Sequence, residues 1–113
     1  MVAKKYTPDA GDVVWVTLDP TVGHEQKGRR PAYVLTPALY NAKTGMALMA
    51  PITSVIKGYP FEVVVHAGAV EGAILTDQLR SIDWKSRNVV HIDTVGQQIS
   101  TAVRRNVAKL IGA

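Results

Sequence analysis

With 113 residues, 47% hydrophobic and 19% charged, the chain can build one hydrophobic core but not two ordinary domains, so a single domain over 1–113 is expected. Its apolar runs are too short to cross a bilayer, and Met1-Val2-Ala3 meets Lys4 and Lys5 at once, which argues against a membrane span or export and for the cytoplasm. Zero cysteines exclude disulfides and thiolate chemistry, the three histidines lack metal-ligand spacing so that neither metal nor cofactor is expected, and a net charge of +4 favours a polyanionic partner.

In chain order, Asp12-Val13-Val14-Trp15-Val16-Thr17-Leu18 is rich in β-branched and aromatic residues and stops at Asp19-Pro20, predicting a first strand. Its near-continuous apolarity implies burial on both faces. The segment from Asp19 to Arg30 then packs acids, bases and two glycines between Pro20 and Pro31. Glycines that relax the backbone and prolines that fix it make a structured loop, and loops on rigid scaffolds carry function. Ala32–Thr36 is the second predicted strand, Pro37–Asn41 opens a helical turn, and Asn41 to Gly45 turns the chain. Met46–Thr53 is the third strand. Pro51 cannot donate to a ladder and so marks an edge or bulge near its end, with Thr53 at the point where the strand gives way to a loop.

Past Gly58-Tyr59-Pro60, the run Phe61–His66 places Phe61, Val63 and Val65 on one face and Glu62, Val64 and His66 on the other, predicting a half-buried strand. Ala73–Thr76 and Ser81–Trp84 read as short strands flanking the polar corner Asp77-Gln78-Leu79-Arg80. From Thr94 the period changes: Val95, Ile99, Val103 and Val107, joined by Leu110 and Ile111, predict an amphipathic helix of about five turns, with Thr94 and Gln97 as a capping box. Arg104, Arg105 and Lys109 fall in its later turns, where cations complement the helix dipole. Five or so short strands followed by one helix make an α+β domain, with the sheet curled into a small barrel.

Few reactive groups are available. No serine lies in a nucleophile-elbow pattern, neither phosphate-binding nucleotide motif is present, and a Glu25/Asp77 carboxylate pair lacks the aromatic array of a sugar site. Arginine beside a carboxylate, a histidine and a threonine hydroxyl suits a phosphodiester better. Guanidinium matches phosphate bidentately and stabilises charge building on phosphorus. A ribose 2′-hydroxyl can supply the nucleophile, leaving the protein to provide a base, an acid and phosphate donors.

The blocks Gly11-Asp12-Val13-Val14-Trp15-Val16, Asp19-Pro20-Thr21, Gly23-His24-Glu25-Gln26, Gly28 and Arg30-Pro31 together resemble the opening motif of the MazF/PemK toxin family. Tyr40 to Met46, Pro51-Ile52-Thr53, Lys57 to Val64 and Asp77 to Asp83 continue the resemblance, which spans most of the chain and is nearest to the MazF branch. The resemblance implies an SH3-like barrel of the PemK/CcdB type with a C-terminal amphipathic helix. It implies a homodimeric toxin of a toxin-antitoxin system, a metal-independent, sequence-specific endoribonuclease. Single-stranded RNA would be cut to a 2′,3′-cyclic phosphate and a 5′-hydroxyl, with an ACA-like trinucleotide as the default target. A MazE-like antitoxin with an acidic, flexible tail would cover the groove.

Carried over by position, the family's essential arginine before proline falls on Arg30 and its strand-end threonine on Thr53. Glu25 matches the loop glutamate proposed as base in MazF-like members. His24 and Asp77 match a histidine and an aspartate credited in the PemK-like branch, but Leu75 stands where that branch has an arginine, so its acid assignment does not carry over. Guanidinium holds its proton, which makes Arg30 a charge stabiliser rather than a base. For RNA binding, Lys57 and Arg80 suit phosphates, Tyr59 suits base stacking, and Gln26 and Gln78 suit base edges. Arg29 reads as surface charge or phosphate attraction, and Trp15 and Trp84 as core or dimer packing. Two other readings stand beside this one: a non-catalytic RNA-binding barrel, and a gyrase-poisoning toxin of the related barrel fold. The ending Leu110-Ile111-Gly112-Ala113 lacks the Trp-Gly-Ile terminus of the latter.

Overall fold

The computed structural model describes residues 5–17 and 28–113. His24, Glu25 and Gln26 therefore lie outside the described residues. The elements are β1 (Asp12–Thr17), β2 (Arg29–Val34), α1 (Ala38–Thr44), β3 (Met46–Thr53), β4 (Glu62–Ala67), β5 (Val70–Leu75), β6 (Arg80–Asp83), β7 (Val90–Thr94) and α2 (Gln97–Ile111), with a 3₁₀ turn at Trp84–Ser86. The strands form one curled antiparallel sheet in the order β4-β5-β3-β2-β1-β7, with β6 also paired to β3. The α+β expectation, strands first and a closing helix, matches this architecture. Among the described residues no helix is long and apolar enough to cross a membrane.

β1 is buried on both faces because the sheet carries a core on each side. Val13, Tyr33, Ala50, Ile52, Val63, Val65, Ile74 and Val103 pack together, while Val14, Val16, Ala32, Val34, Ala47, Met49 and Ile82 form the opposite cluster under Tyr6, Trp84 and Val89. Neighbours along one strand alternate between the two, as the two-residue period of a strand requires. The curl brings the sheet's ends together: at Gly68, in the β4–β5 turn with φ +58°, a β-carbon would stand 3.0 Å from Cγ2 of Ile92 on β7.

Pro51 lies inside a ladder, not at an edge. Leu35 donates its N–H to the carbonyl of Leu48, so the alternation of antiparallel bonds puts the Ala32–Pro51 pair in a non-bonded rung with the proline nitrogen facing away from β2. On that far side β6 pairing ends at Met49 and β5 pairing begins at Ile52, leaving a gap where no N–H is required.

Several expectations are corrected. There are seven described strands rather than five or so; β7 is a mostly exposed edge strand whose polar outer positions hide its period. The chain from Asn41 to Gly45 is not a turn: α1 runs to Thr44, and Gly45 ends it with φ 73°. Trp84 leaves the sheet and opens the 3₁₀ turn. The Thr94–Gln97 capping box does not form. Thr94 belongs to β7 and its hydroxyl donates to Oδ1 of Asp12 at 2.9 Å, so Gly96 is the N-cap of α2, with no side-chain cap. Ile99, Val103 and Val107 pack on the core as the helical period requires, but Leu110 and Ile111 run beyond the sheet and are exposed.

Asp12, nearly buried, ties the N-terminal segment to β1 and β7. Besides Thr94 it accepts hydrogen bonds from the Tyr6 hydroxyl and from the Asp9 N–H at 3.0 Å. Burial, then the neighbouring Asp12 carboxylate, pushes the Tyr6 phenol well above its ordinary value.

Candidate active site

The β2–β3 ladder pairs Ala32 with Pro51, Tyr33 with Ala50 and Val34 with Met49. The ladder ends at the Ala32–Pro51 rung, beyond which Arg30 stays paired with Val16 of β1. Thr53 pairs with Ala73 of β5. Arg30 and Thr53 line one groove of about 570 Å³, together with Trp15, Glu71, Leu75 and Gln78. An exposed arginine and a threonine thus share one groove walled by strand ends.

The Thr53 hydroxyl oxygen accepts the Val55 N–H at 3.1 Å, which leaves its own O–H to donate to a phosphate oxygen. The backbone of Thr53 rests directly on β5. A β-carbon at position 72 would lie 2.1 Å from the Thr53 carbonyl oxygen, so Gly72 is the residue that lets the two strands approach here.

A second depression of about 330 Å³ adjoins the first through shared Thr53, Leu75 and Gln78, and adds Lys57, Tyr59 and Glu62. Its loop is held by Glu62, whose Oε1 accepts the N–H of Lys57 at 3.2 Å and of Gly58 at 2.9 Å. Lys57 Nζ sits 6.0 Å from the Tyr59 ring centroid, and Tyr59 leans on Phe61 with centroids 5.4 Å apart. Tyr59 remains 50% exposed, enough for a base to stack on it.

Arg30, Thr53, Gln78, Lys57 and Tyr59 are therefore brought together along one continuous surface. Asp77 is not. It lines a separate depression beside Asn106 and Lys109 of α2, and Arg80 lies on β6 beside Pro51, Met49 and Ile82. Glu25, His24 and Gln26 lie outside the described residues. Two groove residues carry no signal in the sequence. Trp15 packs against the core as expected and also forms part of the wall, with the Arg29 guanidinium 4.6 Å from its ring centroid. Glu71 belongs to the same wall through the fold of β5 against β4, which local sequence does not reveal.

Residues 9–111 match the family described as the PemK-like, MazF-like toxin of type II toxin-antitoxin systems. The chain belongs to this family. The Endoribonuclease toxin MazF of Escherichia coli (strain K12) is 45% identical over 111 residues, covering 98% of this chain and 100% of that protein. The Endoribonuclease PemK of Escherichia coli is 31% identical over 116 residues, covering 98% of this chain and 87% of that protein. Among solved structures, MazF (Form-I) from Deinococcus radiodurans superposes with a TM-score of 0.86 at 45% identity, covering 96% of this chain and 100% of that one. The MazE-MazF complex (Form-II) from the same organism gives 0.84 at 42% identity, covering 96% and 98%. In this MazF/PemK-family chain the arginine before proline and the strand-end threonine line the same groove.

Proposed function

We propose that residues 1–113 form one toxin domain of a type II toxin-antitoxin system, a sequence-specific endoribonuclease that cuts single-stranded RNA without a metal ion. The observation that carries this reading is Arg30 and Thr53 lining one groove, continuous with the Lys57–Tyr59 surface. The endoribonuclease relatives spanning nearly the whole chain support it.

In the proposed reaction the ribose 2′-oxygen attacks the adjacent phosphorus, an O2′–P bond forms as the P–O5′ bond breaks, and a 2′,3′-cyclic phosphate and a 5′-hydroxyl result. Arg30 neutralises the charge that grows on the non-bridging oxygens, and Thr53 donates to one of them. Glu25 takes the 2′-hydroxyl proton and His24 returns one to the leaving 5′-oxygen, on the strength of their place in the sequence motif that ends at Arg30-Pro31. Asp77, set beside α2 in a separate depression, has no step in this scheme. Lys57 and Arg80 attract phosphates, Tyr59 stacks a base, and Gln26 and Gln78 address base edges.

The proposed working form is a cytoplasmic homodimer held inactive by a MazE-like antitoxin whose acidic, flexible tail orders over the groove; MazE-MazF complexes among the structural neighbours support such a partner. Pure protein incubated with a defined RNA in EDTA should yield discrete fragments bearing cyclic phosphate ends. Intact RNA with folded protein refutes the reading. Arg30→Ala should lower the cleavage rate about 10²–10³-fold, the scale of losing one transition-state charge donor.

A further inference from the structure

Glu71 is the carboxylate in the wall of the Arg30–Thr53 groove, an unexpected charge on a surface meant for a polyanion. It stands directly across the β4–β5 ladder from His66, and His66 Nδ1 lies 2.8 Å from Glu71 Oε1. Both side chains are largely exposed, at 69% and 73%, so the pair adds little to folding. A carboxylate there repels phosphate, and a bound strand tolerates it where it meets a hydrogen-bond donor. Nucleic-acid bases offer such donors on their edges.

We propose that Glu71, oriented by His66, reads one base of the RNA strand next to the cleaved bond and rejects uracil there; this rests on the nuclease reading above. With its proton on Nδ1, His66 donates to Oε1 and biases the plane of the carboxylate, leaving Oε2 to accept from the base. Adenine, cytosine and guanine each present an exocyclic amino group able to donate. Uracil presents carbonyl oxygens on both sides of its single N–H, and these face the carboxylate with like partial charge. Discrimination of this kind needs a fixed acceptor, which a lone glutamate on a strand end does not provide and a cross-strand histidine does. Arg30 and Thr53, in the same groove, place the phosphate, so the base that meets Glu71 is a neighbour of the scissile bond.

The test is cleavage of an RNA pool randomised around a fixed cut site, with fragment ends sequenced for wild type, Glu71→Gln and His66→Ala. Each variant is scored by the ratio of uracil to non-uracil at every position, a quantity independent of the folded fraction. Wild type should disfavour uracil at one position beside the cut. Glu71→Gln, whose amide can donate to O4, should shrink that bias about tenfold at that position alone, and His66→Ala should move it the same way by less. An unchanged profile, or an equal loss of cleavage at all sequences, overturns the assignment. Wild-type protein that leaves every RNA whole refutes the nuclease reading itself, and this one with it.

Discussion

Gly72→Ala is the substitution on which the site geometry can be tested most directly. The added methyl would sit 2.1 Å from the Thr53 carbonyl oxygen and 2.9 Å from its carbonyl carbon, with Ile52 Cγ2 at 3.3 Å. Ordinary carbon–oxygen contact is roughly 1 Å longer than the first of these, and the obstacle is backbone, which cannot rotate away as a side-chain tip can. β3 and β5 must part by about that distance at the Thr53–Ala73 rung, which ends their pairing. Overpacking of this kind costs about 1–3 kcal/mol of stability. The effect on turnover should be larger, because displacing a catalytic donor by about 1 Å costs on the order of 10²-fold in rate. Urea unfolding should therefore show a moderately weakened but folded protein, and single-turnover cleavage a rate about 100-fold lower. Affinity for RNA carrying a 2′-deoxy sugar at the cut site, held by the Lys57–Tyr59 surface, should fall much less. If Thr53 is what moves, combining Gly72→Ala with Thr53→Val should cost little more rate than either alone. A Gly72→Ala protein cleaving at the wild-type rate, or one whose rate loss adds fully to that of Thr53→Val, would refute the account.

Three further outcomes follow from contacts elsewhere. The Tyr6 phenol is pushed up from an ordinary value of 10.0, so above that pH the unfolded chain releases a proton that the folded chain keeps; stability is full below pH 10 and falls as pH rises. Urea midpoints measured from about pH 9 to 11 should show a decline of up to about 1.4 kcal/mol per pH unit in wild type, and Tyr6→Phe should flatten it. Asn41 is fully buried, accepts the Thr36 hydroxyl, and donates to the carbonyls of Pro8 and Thr36, both at 2.8 Å. Asn41→Ala strands those carbonyls and should destabilise by about 2–4 kcal/mol in denaturant melts without altering the groove. Lys57→Ala removes one phosphate contact and should reduce the slope of log affinity against log salt by about 0.7, measured with uncleavable single-stranded RNA.

How much of this was readable in the chain depends on how local the cause is. Strand positions with strong alternation, Phe61 to His66 above all, and the period of Ile99, Val103 and Val107 announce themselves because burial acts on each element separately. β7 does not: an edge strand with one half-buried residue, Ile92, has almost no alternation to show. Thr94 and Gln97 sit at capping-box spacing, yet pairing with Asp12 and a hydroxyl bond to its buried carboxylate, 82 residues away in sequence, hold Thr94 in β7, and the helix starts only after Gly96. Tertiary demand overrode a local pattern.

The site divides along the same line. Arg30 and Thr53 were legible from the motif, and the fold brings both to the lining of one groove. Glu71 and Gly72 were not, because what gives them meaning is the close passage of β5 beneath Thr53 and the pairing of His66 across β4. These are consecutive residues with opposite duties. Side chains on a strand point to alternate faces, so the position that must be empty to seat the Thr53 backbone is necessarily followed or preceded by one that faces outward at the groove's rim. A glycine demanded by packing thus fixes where a reading residue can stand, and a one-residue slip of β5 would put the Glu71 side chain against Thr53 while taking the carboxylate out of the groove. Phosphate placement and base reading are for this reason coupled through a single strand register. Substitutions that loosen the β3–β5 rung should blur sequence preference and slow cleavage together, whereas Glu71→Gln should shift preference at the one position it reads.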